Sequence, residues 1–138
     1  MSPEREFLKK EERLRKKADF DRVFRYGDAI QDPFFVVIYI KNGLPFSRIG
    51  ISVRKKFGKA HVRNRLRRLV KEIFRRHKAV FPKGYDILFI ARKELSDSFK
   101  RREADYYFLC ERLLKIARRI DEKQEKNGNS EKSGTEIN

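Results

Sequence analysis

The sequence predicts an α+β domain, a mixed sheet with helices packed on it, and three observations carry that expectation. Two short runs, FFVVIYI (34–40) and YDILFIA (85–91), are apolar on both faces and rich in β-formers, as buried strands are. Between them Val62, Leu66, Leu69, Val70, Ile73 and Phe74 recur at helical spacing. A helix between two strands implies a crossover connection and hence a mixed sheet. Near the carboxyl end Tyr106, Leu109, Leu113, Ile116, Ala117 and Ile120 line one face of a second long helix, over about 103–120.

The elements follow in order. Residues 1–16 alternate acids and bases and form a flexible charged arm. ADFDRVFRYG then places Phe20, Val23 and Phe24 at i, i+3, i+4 on a short helix that Gly27 can end. The strand at 34–40 leads to Asn42-Gly43, a hairpin signal that Leu44-Pro45 lengthens. A second strand covers Arg48 to Val53, and a basic loop opens the crossover helix near Lys59 to His61. Pro82-Lys83-Gly84 makes a turn into the strand at 85–91, and Ser96-Asp97-Ser98 caps or precedes the final helix. From Asp121 onward only Ile137 is aliphatic, so 121–138 is expected to be a disordered tail. The single domain thus spans 17–120 within 138 residues.

Charge points to function. Arg54 to Lys78 holds twelve Lys or Arg and one acid, Glu72, which is +11 of the chain's +16. Charge this dense repels itself and favours a polyanionic partner. At about 100° per residue, Asn64, Arg68, Lys71 and Arg75 fall opposite the apolar stripe. Arg67 flanks one edge, Arg65 the other, and Arg63 lies nearer the apolar boundary. Guanidinium groups donate to phosphates in a fixed planar fork. The Asn64 amide both donates and accepts, so it can bond a ribose hydroxyl or lock a neighbouring arginine. Solvated charged faces usually mix signs, and this one hardly does. Aromatic residues offer a second element: Phe20, Phe24 and Phe35 either stack on unpaired bases or belong to the core.

Other classes find little support. The one cysteine, Cys110, excludes an internal disulfide and sits at core spacing. His61 and His77 lie sixteen residues apart, too far to share a metal on one helix. No nucleophile elbow, zincin or phosphate-loop motif occurs, so no catalytic or metal residue is assigned. No helix–turn–helix pair suggests DNA. The amino end lacks the apolar segment of a signal peptide, and no run approaches membrane-spanning length, so a cytoplasmic protein is expected.

Four blocks, ADFDRVFRYG, FFVVIYI, RIGISVRKKFGKAHVRNRLRRLVKEIFR and GYDILFIAR, resemble the protein subunit of bacterial ribonuclease P, in order and over roughly 13–120. The resemblance implies an α/β sandwich with a four-stranded mixed sheet and a left-handed βαβ crossover, similar to a ribosomal-protein domain. It implies an accessory subunit whose RNA partner performs the Mg2+-dependent removal of the 5′ leader from precursor tRNA, with no cofactor on protein side chains. Arg63, Asn64, Arg65, Arg67 and Arg68, with Lys55 and Lys56, would contact the RNA subunit, and the stripe adds Lys71 and Arg75. Phe20, Phe24 and Phe35 would line a cleft for the single-stranded leader, with Arg92 on that surface and Arg54 standing where many members have Ser. Ile38 replaces an aromatic found in some members. A structural RNA-binder without a role in tRNA processing is the alternative that composition leaves open.

Overall fold

The computed structural model describes the backbone of residues 10–102 and 104–137, with side chains over 11–102 and 104–124. The elements are α1 (Lys17–Tyr26), β1 (Asp28–Gln31), β2 (Phe35–Lys41), β3 (Arg48–Ser52), α2 (Ala60–Arg76), β4 (Tyr85–Ala91), α3 (Lys93–Lys100) and α4 (Tyr106–Ile137). Short 3-10 turns occur at Lys10–Glu12 and Lys55–Phe57. The four strands form one sheet in the order β1-β2-β4-β3. β1 and β4 both run antiparallel to β2, and β3 is parallel to β4, so α2 is the crossover of a β3–α2–β4 unit.

Both faces of the sheet carry packed apolar side chains over most of their length, which is why β2 and β4 are apolar on both faces. One face carries Phe35, Val37, Tyr39, Ile49, Ile87 and Phe89. It packs against Leu66, Val70, Ile73 and Phe74 of α2 and Leu109, Leu113, Ile116 and Ile120 of α4. Fully burying one such side chain is worth about 1.5–3 kcal/mol, so this layer supplies most of the core. The opposite face carries Leu88 beneath Leu14 and Val23, with Phe20, Ile38, Ile40 and Ile90 partly buried around them. Here α1 lies close to the sheet. A Cβ on Gly27 would sit 2.6 Å from the Ile38 side chain, so the end of α1 needs glycine for space rather than for a left-handed turn.

Several expectations change. Asn42-Gly43 does not close a hairpin, because β4 inserts between β2 and β3. Buried Asp86 of β4 takes hydrogen bonds from Asn42 Nδ2 (3.0 Å) and Arg48 Nε (2.8 Å), so both ends of the 42–48 connection meet β4. The edge strand β1 was not delimited by the sequence. Ser96-Asp97-Ser98 lies within α3 rather than capping the final helix, and the Ser96 hydroxyl donates to the Phe57 carbonyl (2.6 Å). Asp105 fills the capping place instead, accepting from the Phe108 N–H (2.9 Å). α4 continues to Ile137 past the end near 120, so its backbone is helical where a disordered tail was expected. The extension holds four Glu and three Lys, which favour a helix, and has no proline to stop it, although it includes Gly128 and Gly134.

Residues 1–9 of the expected flexible arm lie outside the described residues. The rest of the arm is docked: Arg13 bridges to Ile49 in parallel fashion, the Leu14 N–H donates to the Ile49 carbonyl (2.8 Å), and Leu14 is buried. Lys78 Nζ donates to Glu12 (3.0 Å). At the other edge, α4 is laced to β1 through Arg112–Asp32 (2.6 Å) and through Arg119 to the Gln31 carbonyl (2.9 Å). Both sheet edges are thus engaged, which suppresses strand addition.

Candidate RNA-binding surface

The basic helix starts without a side-chain cap at Lys59, so its first N–H groups and positive dipole face outward. The preceding turn is anchored by buried Phe57, which leaves Lys55 and Lys56 exposed beside that end. Arg63 Nε donates to the Gly58 carbonyl (3.2 Å) and ties the turn to the helix. Arg67 donates to Asn64 Oδ1 (3.1 Å), so the asparagine locks its neighbour and keeps its amide N–H groups for a ligand. Arg65 lies over the Phe99 ring, 5.6 Å from its centroid. Arg68 is exposed, and among the described residues no carboxylate neutralises it or Arg54, Lys55 or Lys56.

Two members of the sequence-predicted stripe are placed differently. Lys71 is half-buried, and desolvation, then Arg13 and Arg67, push its pKa down. Arg75 is engaged by Glu72, the helix's one acid, which also accepts from Arg76 Nε (2.7 Å). Those arginines, Arg75 first, hold the Glu72 carboxyl below its ordinary pKa. The docked arm adds the charge of Arg13 near Lys71, which local periodicity cannot foresee. The open cationic surface is therefore the amino-terminal half of α2 with the 55–56 turn.

The second surface lies on the α1 side of the sheet. Strand register sets side chains there in rows: Ile40–Asp86–Arg48, Ile38–Leu88–Gly50 and Val36–Ile90–Ser52. The middle row is capped by α1. A Cβ on Gly50 would stand 3.0 Å from the Phe20 ring, so glycine lets that ring settle on the sheet. The last row is left uncovered. Half-buried Val36 and Ile90 floor a cavity of about 600 Å³ whose walls include Arg54, Lys56, Phe57, Arg92, Lys93 and Lys100, with Glu94 and Asp97 on one side. Arg92 is steered by the Asp32 carbonyl (3.3 Å) and Glu94 (3.6 Å).

The three candidate phenylalanines separate. Phe24 is 52% exposed, Phe20 is half-buried at the edge of the second core, and Phe35 is fully buried. Phe35 points to the α2–α4 side, edge-on to Phe89 at 5.9 Å between centroids. It is core, and no base can stack on it while the fold is intact. Val36, its neighbour, takes the cleft-facing place by strand alternation. The sequence missed Val36 and Ile90 because a strand apolar on both faces does not reveal which face is open.

His77 and Cys110 are structural. His77 Nδ1 faces the Ile73 carbonyl at 2.9 Å and Nε2 faces Cys110 Sγ at 3.8 Å. Burial raises the Cys110 pKa, which favours the inert thiol. Among the described residues no group of three or more His, Cys, Asp or Glu converges to hold a metal, and no helix is long and apolar enough to cross a membrane.

An α+β sheet with an apolar, cation-walled cleft on one face and an unneutralised arginine ridge beside it is the kind of surface that suits a nucleic-acid-binding protein. Comparison with known proteins makes this specific. A family model described as Ribonuclease P matches residues 8–120. The chain is 49% identical over 116 residues to the ribonuclease P protein component of Thermotoga maritima, covering 84% of this chain and 97% of that one. To the Petrotoga mobilis protein component it is 45% identical over 114 residues, covering 83% and 95%. The solved ribonuclease P protein of T. maritima superposes with a TM-score of 0.73 at 50% identity, covering 78% of this chain and 96% of that one. That of Staphylococcus aureus gives 0.68 at 32%, covering 80% and 94%. The chain belongs to the ribonuclease P protein family, the protein subunit of a tRNA-processing endoribonuclease.

Proposed function

We propose that this subunit divides its two surfaces between two RNAs. The α2 ridge, with Lys55, Lys56, Arg63, Asn64, Arg65, Arg67 and Arg68, binds the RNA subunit, and Lys71 and Arg75 serve as supporting charge at its far end. The cleft over Val36 and Ile90 takes the single-stranded 5′ leader of precursor tRNA. Phe20 and Phe24 stand on the α1 side, and Arg54 and Arg92 supply phosphate contacts. The observation that carries this reading is the uncovered Val36–Ile90–Ser52 row between α1 and the cation wall. A-form RNA has a major groove too narrow for side chains to read, so a ridge of forked donors recognises backbone and shape. That tolerance suits an enzyme with many precursors. The Mg2+-dependent chemistry is assigned to the RNA subunit, since the described side chains offer no converging ligand set.

Two tests follow. RNA-free protein should leave precursor tRNA intact in magnesium, and maturation should appear when a ribonuclease P RNA is added. Cleavage by the protein alone would refute the division of labour. Affinity for the RNA subunit should also fall with salt, with a log–log slope on the order of −4 to −5 if about six phosphates are neutralised. Arg68→Ala should flatten that slope by about one unit without lowering the melting temperature. An unchanged slope would remove the α2 ridge from the interface.

A further inference from the structure

The corner between α3 and α4 has features that the fold does not require. Arg102 adopts φ +58° just past Arg101, the residue that caps the end of α3, and its N–H donates to the Phe99 carbonyl (3.1 Å). Helices that end this way usually place glycine there, since a side chain disfavours the left-handed region. An exposed arginine occupies it instead. Five residues on, Tyr107 is 80% exposed, the most exposed large hydrophobic side chain among the described residues. Its ring is braced edge-on by Tyr106 at 5.7 Å between centroids, and Tyr106 in turn lies under the guanidinium of Arg76, at 5.9 Å. The corner is therefore attached to one edge of α2 at two places, Arg65 over Phe99 and Arg76 over Tyr106. Arg76 ends α2, whose seventeen residues span about 25 Å from the end beside the cleft.

We propose that this corner is a second contact for the RNA subunit, in which an unpaired base stacks on Tyr107 and Arg102 binds a flanking phosphate. Two properties favour a nucleotide over a protein partner. An exposed, braced aromatic ring with an exposed arginine on the same corner offers stacking for a base and charge for the backbone, the combination that holds single-stranded nucleic acid. Tyr107, tied through Tyr106 to Arg76 at the far end of α2, also stands away from the end of that helix beside the leader cleft, which assigns it to the RNA subunit and not to the substrate leader. Arg102 retains a strained backbone position because its side chain meets the ligand, a role glycine cannot take.

The inference rests on the reading of α2 as the RNA-subunit surface, and the test separates the two. Affinity of the full chain for a ribonuclease P RNA transcript is measured across a salt series for Tyr107→Ala, Tyr107→Phe, Arg102→Gly and Arg68→Ala, with a melting temperature for each. Tyr107→Ala should weaken binding on the order of tenfold with the salt slope unchanged, because stacking releases no counterions, and Tyr107→Phe should bind as the parent does. Arg102→Gly should flatten the slope by about one unit with a melting temperature equal to or above the parent's, since glycine relieves the strain. Parent-like affinity for Tyr107→Ala alongside a weakened Arg68→Ala would overturn this inference and leave the α2 reading standing. Loss of neither would overturn both. A fall in precursor leader affinity, with that for the RNA subunit unchanged, would place the corner on the substrate and also overturn it.

Discussion

Phe35→Ala should destabilise the protein by about 3–5 kcal/mol and reduce binding of precursor and mature tRNA together. Its ring is fully buried between the sheet and the α2–α4 layer, so truncation opens a cavity against Phe89. Phe24→Ala should behave in the opposite way. Its ring is half in solvent, so the melting temperature should hardly move. If it stacks on a leader base, holoenzyme affinity for precursor tRNA should weaken by about 1–3 kcal/mol, while mature tRNA, which has no leader, binds as before. Thermal melts and the two affinities on both variants decide the matter. A stable Phe35→Ala protein that selectively loses precursor binding would restore Phe35 to the cleft. An unaltered precursor-to-mature ratio for Phe24→Ala would remove Phe24 from it.

The second large effect is expected at Asp86, a fully buried carboxylate in β4. Arg48 grips it with Nε at 2.8 Å and Nη2 at 2.7 Å, Asn42 donates at 3.0 Å, and Arg22 of α1 completes the set. The hydrogen bond to Asp86 is the main cause of the raised Arg48 pKa. Removing one member of such a set leaves its partners uncompensated, at a cost of about 3–5 kcal/mol. Asp86→Ala should therefore lower the urea midpoint strongly. Because Arg22 is the tie that draws α1 towards β4, the variant should also lose part of its preference for precursor over mature tRNA. A loss below about 1 kcal/mol would mean that water replaces the carboxylate at little cost, and that α1 is held by its apolar face alone.

Local chemistry determined a good deal of this protein. The 3.6-residue rhythm from Val62 to Phe74 located α2 because that helix has one solvent face. The same rhythm separated Arg68 and Asn64 from Leu66 and Ile73, as the structure does. The runs at 34–40 and 85–91 announced central strands because β-branched and aromatic residues are enriched in strands and these runs are short and bounded by turn signals. Short-range signals could not tell which face of those strands lay open. Where both faces are covered, the period-2 pattern disappears, so Phe35 and Val36 looked alike until α1 was placed over one part of one face and α2 with α4 over the other. Tertiary structure alone decided the strand order too. A turn between β2 and β3 suggested a hairpin, but the contacts that bring β4 between them join Arg48 and Arg22 to Asp86, 38 and 64 residues away. Leu14 and Lys71 tell the same story: one lost its freedom and the other gained Arg13 as a charged neighbour when the arm docked on β3, a pairing between distant segments that local spacing does not encode.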